Sequence, residues 1–161
     1  MVPQEALEGL SFAGNCPIER AMCVVGSRSA MLIMREALYG TSRFDDFVQR
    51  VEMAPATAST HLRALTDAGL LKRQPYREPG GRTRDEYALT PAGADLMPVL
   101  FGLFEWGRRH TDVVPVVAFA HAGCGHPVGV HVQCTAGHEV APEEVEWLPA
   151  AAPAESGGAG E

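Results

Sequence analysis

Residues 55–89 read PATASTHLRALTDAGLLKRQPYREPGGRTRDEYAL, and this stretch decides the fold. Pro55 suits the first turn of a helix, because the hydrogen bond that proline cannot donate is not needed there. The helix continues to Gly69 along an apolar stripe formed by Ala58, Leu62 and Leu65. Two short strand patterns, over 70–77 and 82–89, then flank a Pro-Gly-Gly turn. The stretch therefore predicts a helix followed by a β-hairpin.

The outer side of this predicted helix carries short polar groups at its start. A DNA major groove admits one α-helix, whose N-terminal residues reach the base edges best. We therefore predict that the groove is contacted by Ala56, Thr57, Ser59, Thr60, His61 and Arg63. The arginines near the tip of the hairpin are expected to follow the phosphate backbone or enter a minor groove: Arg77, Arg82 and Arg84.

Charge is distributed unevenly along the chain. The formal net charge is −7, which by itself argues against a nucleic-acid partner. Between residues 54 and 84, however, the acidic residues are only Asp67 and Glu78, whereas the basic ones are Arg63, Lys72, Arg73, Arg77, Arg82 and Arg84. A basic patch in an acidic chain is typical of a protein that touches phosphates with one face only.

Further helices are predicted on both sides of this stretch. Three precede it: one over 18–25, one from about 29 to 39, and a short one capped by Thr41-Ser42. The buried face of the second is predicted at Met31, Leu32 and Leu38. A long helix is predicted after Thr90-Pro91, with an apolar stripe wider than one packed face requires: Leu96, Val99, Leu100, Leu103, Phe104 and Trp106. Residues 113–120 are β-like.

Composition narrows the class of protein. The 161 residues, 46% of them hydrophobic, suit one ordinary domain with a small addition. No apolar run reaches the roughly 18 residues that a membrane helix needs, and the N-terminus lacks the pattern of a signal peptide. We therefore expect a cytoplasmic protein, in which the four cysteines are reduced thiols or metal ligands. No nucleophile elbow, phosphate loop or carboxylate pair is present in the sequence, so an enzyme is disfavoured.

Several segments between Cys16 and Trp106 resemble the HxlR-type winged helix-turn-helix regulators. They are 16–21 (CPIERA), 32–38 (LIMREAL), 43–47 (RFDDF), 62–70 (LRALTDAGL) and 87–93 (YALTPAG). The resemblance implies a homodimer that binds a palindromic operator, with the terminal helices at the dimer interface. This interface would explain the wide apolar stripe, for which an intramolecular core is the alternative. The chain departs from the family pattern at Ser29, where a tryptophan is usual, and at Ala54, where a capping serine is usual.

Two cysteines lie near the first predicted helix. Cys16 occupies the position of a cysteine that senses oxidants, quinones or aldehydes in some members of the family that the chain resembles. A thiolate near Arg20 and a helix N-terminus would react readily, whereas the alternative is an inert buried thiol. Cys23 lies within the helix, and we predict that it belongs to the core.

The C-terminal segment contains His121-x₂-Cys124 and, after nine intervening residues, Cys134-x₃-His138. Two ligand pairs on two turns are typical of a ribbon-type zinc site, because a tetrahedral ion needs four nitrogen or sulfur donors. Some relatives of similar sequence end in Cys-x₂-Cys-Gly, whereas Gly137 stands here where their last cysteine would be. Either His138 acts as the fourth ligand of a structural zinc ion, with His126 or His131 in reserve, or the segment folds without metal.

The sequence as a whole predicts a mainly α (α+β) winged helix-turn-helix with a β-rich, zinc-ribbon-like appendage. We divide it into an arm (1–15), a DNA-binding and dimerisation domain (16–110), a Cys/His-rich hairpin module (111–148) and a disordered tail (149–161). The predicted function is transcription regulation in response to a small molecule or a redox signal. An effector pocket is expected near Phe101 and Phe104. The alternative is a winged-helix module that binds proteins and not DNA.

Overall fold

The computed structural model describes residues 14–77 and 83–146. The chain divides into two units, one spanning 12–130 and the other formed by 1–11 together with 131–161. Most of the predicted arm, the whole of the predicted tail and Arg82 at the tip of the hairpin lie outside the described residues. Within the described residues, no helix has the length and apolar character needed to cross a bilayer.

The described residues of the larger unit form four helices, a hairpin and two further helices, in that order. The helices before the hairpin are α1 (Pro17–Val25), α2 (Arg28–Leu38), α3 (Phe44–Val51) and α4 (Pro55–Asp67). The hairpin pairs β1 (Leu71–Tyr76) with β2 (Arg84–Leu89) in antiparallel register, from Leu71 opposite Leu89 to Tyr76 opposite Arg84. The last two helices are α5 (Pro91–Ala94) and α6 (Met97–His110). The predicted helical fold with one small hairpin is confirmed.

The core of this unit forms where α2, α3, α4 and β1 meet. Its largest fully buried side chains are Ile33, Met34, Phe47, Leu62, Leu65 and Leu71. The ring of Phe47 meets that of Tyr87 edge-on, with 6.1 Å between centroids. The stripe predicted on α4 is confirmed, because Ala58 is buried together with Leu62 and Leu65.

The buried face of α2 differs from the predicted one. Its buried apolar residues follow the spacing i, i+3, i+4, i+7: Ala30, Ile33, Met34 and Ala37. Met31, Leu32 and Leu38 are only half-buried and line a cavity between α2 and α6. The prediction was wrong about which face is fully buried: α2 has two apolar faces, and Met31 and Leu32 pack only against the edge of the core.

The loop before α3 does not cap that helix, contrary to prediction. Arg43 is the N-cap residue and makes no capping hydrogen bond through its side chain. The Thr41 hydroxyl donates to a Glu36 carboxylate oxygen at 3.3 Å, and the Ser42 hydroxyl donates to a Glu86 carboxylate oxygen at 3.2 Å. The two hydroxyls therefore tie the loop to α2 and to β2.

The predicted long helix after Thr90 is interrupted, so that part of the prediction was wrong. Helix α5 ends at Ala94, four residues before Pro98. A proline inside a helix cannot donate its hydrogen bond and clashes with the carbonyl four residues earlier. Pro98 is tolerated in the first turn of α6 instead, where neither penalty applies.

The Thr90 side chain links α5 by hydrogen bonds to Gly69 and Leu70, which lie between α4 and β1. The backbone N–H of Gly93 donates to the Thr90 hydroxyl oxygen at 3.1 Å, so the predicted cap at Thr90 is confirmed. The same hydroxyl lies 2.6 Å from the Gly69 carbonyl oxygen and 3.2 Å from that of Leu70, to which it can donate. One side chain therefore caps a helix and holds it against the preceding turn.

We expect Gly93→Ala to destabilise the protein by about 1–3 kcal/mol, because the added carbon would overpack this contact. An alanine Cβ at this position would lie 2.1 Å from the Leu70 carbonyl oxygen, which is backbone and cannot move aside alone. Urea denaturation gives the free energy of unfolding. Gly102→Ala on α6 is the matched control, since its Cβ would meet nothing within 4 Å. Equal stability of Gly93→Ala and the parent protein would contradict the prediction.

Helices α1 and α6 expose apolar side chains that the core does not cover. On α1, Ile18 is 74% exposed and Met22 57%. On α6, which has no fully buried residue, Trp106 is 58% exposed and Leu103 52%. Cys23 is exposed as well, so its predicted place in the core was wrong.

Residues 111–146 consist of irregular segments and short turns where a β-rich module was predicted. No strand occurs over 113–120, where one was predicted. Isolated bridges pair Ala120 with Pro127 in the larger unit and Gln133 with Glu139 in the smaller one. The described part of the smaller unit also contains a 3₁₀ turn, Pro142–Glu144.

Candidate nucleic-acid interface

Helix α4 presents opposite faces to the core and to solvent. The predicted groove-contacting residues Ala56, Thr57, Ser59, Thr60 and Arg63 are exposed, and His61 is half-buried. Positions 56, 59, 60 and 63 follow the spacing of a single helix face, opposite the buried stripe. The structure thus brings these side chains together on one accessible surface.

The N-terminus of α4 has no side-chain cap. Ala54 is the N-cap residue, Pro55 occupies the first turn, and no side-chain hydrogen bond closes this end. The Thr60 hydroxyl donates back to the Ala56 carbonyl oxygen at 2.9 Å, within the helix. The backbone N–H groups of the first turn therefore point toward solvent, with the partial positive charge that a helix N-terminus carries.

Arg63 lies on the exposed face in a weak ion pair. Its Nε is 3.7 Å from a carboxylate oxygen of Asp67, one turn along the helix. The arginine side chain is 84% exposed. Exposed pairs of this kind contribute at most about 1 kcal/mol, so the guanidinium can exchange Asp67 for another partner at little cost.

The hairpin is fixed to the helical core through Glu86. One carboxylate oxygen of Glu86 accepts from the Gln74 amide at 2.8 Å, and the other accepts from the Ser42 hydroxyl at 3.2 Å. The backbone N–H of Tyr87 donates to the Ser42 carbonyl oxygen at 2.8 Å. The hairpin therefore has a defined position relative to the helices that precede it.

Basic side chains surround the described part of the hairpin. Arg77 and Arg84, both predicted contacts, are exposed near its tip. Arg73 forms an ion pair with Asp85 on the opposite strand, and Lys72 beside it is exposed. Arg43 was not among the predicted contacts. Its guanidinium carbon lies 5.0 Å from the centre of the Tyr76 ring, because the fold brings the start of α3 beside the hairpin.

Cys16 is the N-cap residue of α1 and is half-buried. Its carbonyl oxygen accepts from the Arg20 backbone N–H at 3.1 Å, and its side chain makes no capping hydrogen bond. The thiol forms no disulfide, and neither do the thiols of the other three cysteines. Its role as a sensor stays a prediction.

His121 and Cys124 lie together on one tight turn of the larger unit. The His121 backbone N–H donates to the His126 carbonyl oxygen at 2.9 Å, and the His121 carbonyl accepts from Gly125 at 2.8 Å. Gly125 has a φ of 73°, which favours glycine. The Nδ1 of His121 lies 3.3 Å from the Cys124 sulfur, so this turn can present two adjacent donors.

Cys134 and His138 lie on a turn of the smaller unit that is one residue shorter. The Cys134 backbone N–H donates to the His138 carbonyl oxygen at 3.0 Å, and Gly137 has a φ of 86°. Gly137 therefore takes the place that Gly125 has in the first turn. The N–H of His138, and then those of Ala136 and Gly137, hold the pKa of the Cys134 thiol below its usual range.

Zinc binding stays a prediction. Within either unit, the described residues bring together no three His, Cys, Asp or Glu side chains that could hold a metal ion. A Cβ at Gly137 would meet nothing within 4 Å, but its φ of 86° would strain a cysteine at this position.

Comparison with known proteins identifies a family and a relative of similar sequence. Residues 24–114 match the family described as HxlR-like helix-turn-helix. The HTH-type transcriptional regulator Rv3095 of Mycobacterium tuberculosis, itself uncharacterised, is 34% identical over 131 residues, which cover 80% of this chain and 82% of that protein.

Two solved structures are similar as well. The crystal structure of PA1607, a candidate transcription factor, is 27% identical with a TM-score of 0.74, over 85% of this chain and 96% of that one. The redox regulator HypR in its oxidised form is 27% identical with a TM-score of 0.55, over 61% of this chain and all of that one.

Proposed function

Because the chain belongs to the HxlR-like helix-turn-helix family of transcriptional regulators, we propose that it binds a palindromic DNA operator as a homodimer. Helix α4 enters the major groove, and the hairpin follows the backbone. One observation carries this proposal. The buried stripe of α4 fixes the helix to the core, while its opposite face offers only small or polar side chains and one arginine.

The charges on this surface support the proposal. Arg63 is held only by a weak exposed pair, so it is available to donate to a guanine. The uncapped N-terminus of α4 suits a phosphate group, because its N–H groups lack side-chain acceptors. Arg43, Lys72, Arg77 and Arg84 supply positive charge on and beside the hairpin.

The exposed apolar faces of α1 and α6 support dimerisation. Monomeric proteins rarely leave such a cluster of large apolar side chains in water. A second copy of the chain would cover Ile18, Met22, Leu103 and Trp106. A dimer of this kind has two-fold symmetry and presents two α4 helices to two half-sites.

We propose further that the dimer is a non-enzymatic, cytoplasmic regulator that responds to a redox signal or a small molecule. HypR, which shares the fold, is a redox regulator. Cys16 is a half-buried thiol at the N-terminus of α1, beside an exposed face assigned to the dimer. Oxidation there would change the packing of α1 and, through it, the spacing of the two α4 helices.

The proposal is tested on a DNA fragment from upstream of the gene that contains an inverted repeat. We expect the logarithm of the binding constant to fall linearly with the logarithm of salt concentration, because phosphate contacts release counterions. Absence of binding to this fragment at low salt would favour the protein-interaction module instead. A titration with oxidant, repeated on Cys16→Ser, tests whether the response depends on that thiol.

Two substitutions separate base recognition from backbone contact. We expect Arg63→Ala to weaken operator binding about 10- to 100-fold and to relax specificity at one base pair, since one bidentate contact supplies about 1–3 kcal/mol. Arg84→Ala should weaken all sequences alike and reduce the salt slope by about one. Fluorescence anisotropy with matched and mutated operators measures both effects. Arg28→Ala, at the exposed start of α2 and outside both proposed interfaces, is the charge-matched control. An equal effect of all three substitutions would contradict the assignment.

A further inference from the structure

A cavity of about 340 Å³ lies between α2 and α6 in the larger unit. Its lining is almost entirely apolar, with Met31 and Leu38 from α2, Leu100, Phe101 and Phe104 from α6, and Phe119 from the segment that follows. Its volume lies at the lower end of the range typical of small-molecule sites, roughly 300–1,000 Å³. This size suits a ligand of one or two rings.

One side chain of the cavity lining, Phe119, contacts three other aromatic rings. Phe119 stacks on Phe101 with 4.4 Å between centroids and 25° between planes. It meets Phe104 edge-on at 4.9 Å and Tyr39 at 5.9 Å. Offset stacking and edge contacts are the arrangements that aromatic rings prefer. The walls therefore favour a flat ring over a saturated group of the same volume.

One edge of the cavity carries an excess positive charge. Arg35, the charged side chain in the lining, donates from Nε and a terminal nitrogen to one Glu36 oxygen at 3.1 and 2.8 Å. Arg50 lies 3.8 Å from the other oxygen of the same buried carboxylate. The guanidinium groups of Arg35 and Arg50 thus share the single carboxylate of Glu36, so this group of three side chains has a net charge of +1. Burial raises the pKa of Tyr39 at this edge, so its phenol stays neutral.

We propose that this cavity binds a small flat aromatic carboxylate. The ring packs against the aromatic wall formed by Phe101, Phe104 and Phe119, and the carboxylate faces Arg35. Binding itself does not depend on DNA. Its regulatory effect rests on the proposed function: α2 packs on α4 through its other face, and α6 carries the exposed apolar surface assigned to the dimer.

The test uses the full chain and isothermal titration calorimetry with 2-naphthoate as the probe. Decahydro-2-naphthoate tests the need for a flat ring, and 2-naphthamide tests the need for a negative charge. We expect 2-naphthoate to bind at least about 10-fold more tightly than either, a difference of 1.4 kcal/mol. No saturable binding of 2-naphthoate, or equal binding of decahydro-2-naphthoate, would overturn the proposal.

Variants locate the binding. Leu38→Trp fills the cavity and should weaken 2-naphthoate binding about 10-fold or more. Gln49→Trp, on the exposed side of α3, should leave this binding unchanged.

Arg35→Gln should remove the preference for 2-naphthoate over 2-naphthamide. Arg35→Lys, which keeps the charge, should retain most of this preference. If Arg35→Gln does not fold, Arg35→Lys and Leu38→Trp still test whether 2-naphthoate binds in this cavity. Unchanged binding to Leu38→Trp refutes the site.

Operator affinity is measured separately, with and without 2-naphthoate. If the protein binds 2-naphthoate but not DNA, the proposed function is refuted and the cavity assignment is supported. If it binds the operator but not 2-naphthoate, the cavity assignment is refuted and the proposed function is supported.

Discussion

Phe47→Ala is expected to lower the free energy of unfolding by about 3–5 kcal/mol, the usual loss for a fully buried phenylalanine. Phe47 is completely inaccessible to solvent and packs in the core where α2, α3 and α4 meet. Its removal leaves a cavity beside Tyr87, whose ring it contacts edge-on. A domain of ordinary stability has roughly 5–15 kcal/mol in total, so this single substitution brings the protein close to unfolding.

Urea denaturation followed by circular dichroism, at a fixed protein concentration, measures this loss. Phe44→Ala is the matched control, because Phe44 lies on the same helix but is only half-buried. We expect the control to lose clearly less stability. An equal loss for the two variants would mean that the core is centred elsewhere.

Trp106→Glu is expected to convert the proposed dimer to monomer and to weaken operator binding about 100-fold or more, because a monomer loses the second linked half-site. Tryptophan is among the residues that contribute most to the binding free energy of protein–protein interfaces. Trp106 is 58% exposed in the single chain, so replacing it removes little internal packing. A buried glutamate without a partner would also oppose association.

Sedimentation velocity gives the oligomeric state, and anisotropy gives the operator affinity. Ala92→Glu adds the same charge on the exposed surface of α5 and should leave both unchanged. A dimeric Trp106→Glu protein with full operator affinity would show that α6 is not the interface.

The helix and hairpin of residues 55–89 could be predicted because their signals are local. Pro55 marks the start of α4, and Gly69 follows its end within two residues. In the sequence, Pro79-Gly80-Gly81 falls between the two strands. These residues restrict the backbone wherever they occur, and no distant contact is needed to interpret them. Pro98 gave an equally local signal for the break before α6, and the prediction overlooked it.

Features that depend on tertiary packing could not be predicted in the same way. Both faces of α2 are apolar, and only the folded chain decides that Ile33 meets the core while Met31 lines the cavity. Arg43 joins the hairpin surface only after the start of α3 packs beside Tyr76. The short turn at Cys134 depends on Gly137, whose role is visible only in its φ of 86°.

The hydrogen bonds of Thr90 also bear on the distance between the two α4 helices of the proposed dimer. The C-terminal end of α4 is connected to α6 through a path of few bonds: the Gly69 and Leu70 carbonyls, one hydroxyl, and a four-residue helix. Such a path has little freedom to stretch or rotate. In the proposed dimer joined through α6, this connection would set the distance between the two α4 helices and, with it, the number of base pairs between half-sites.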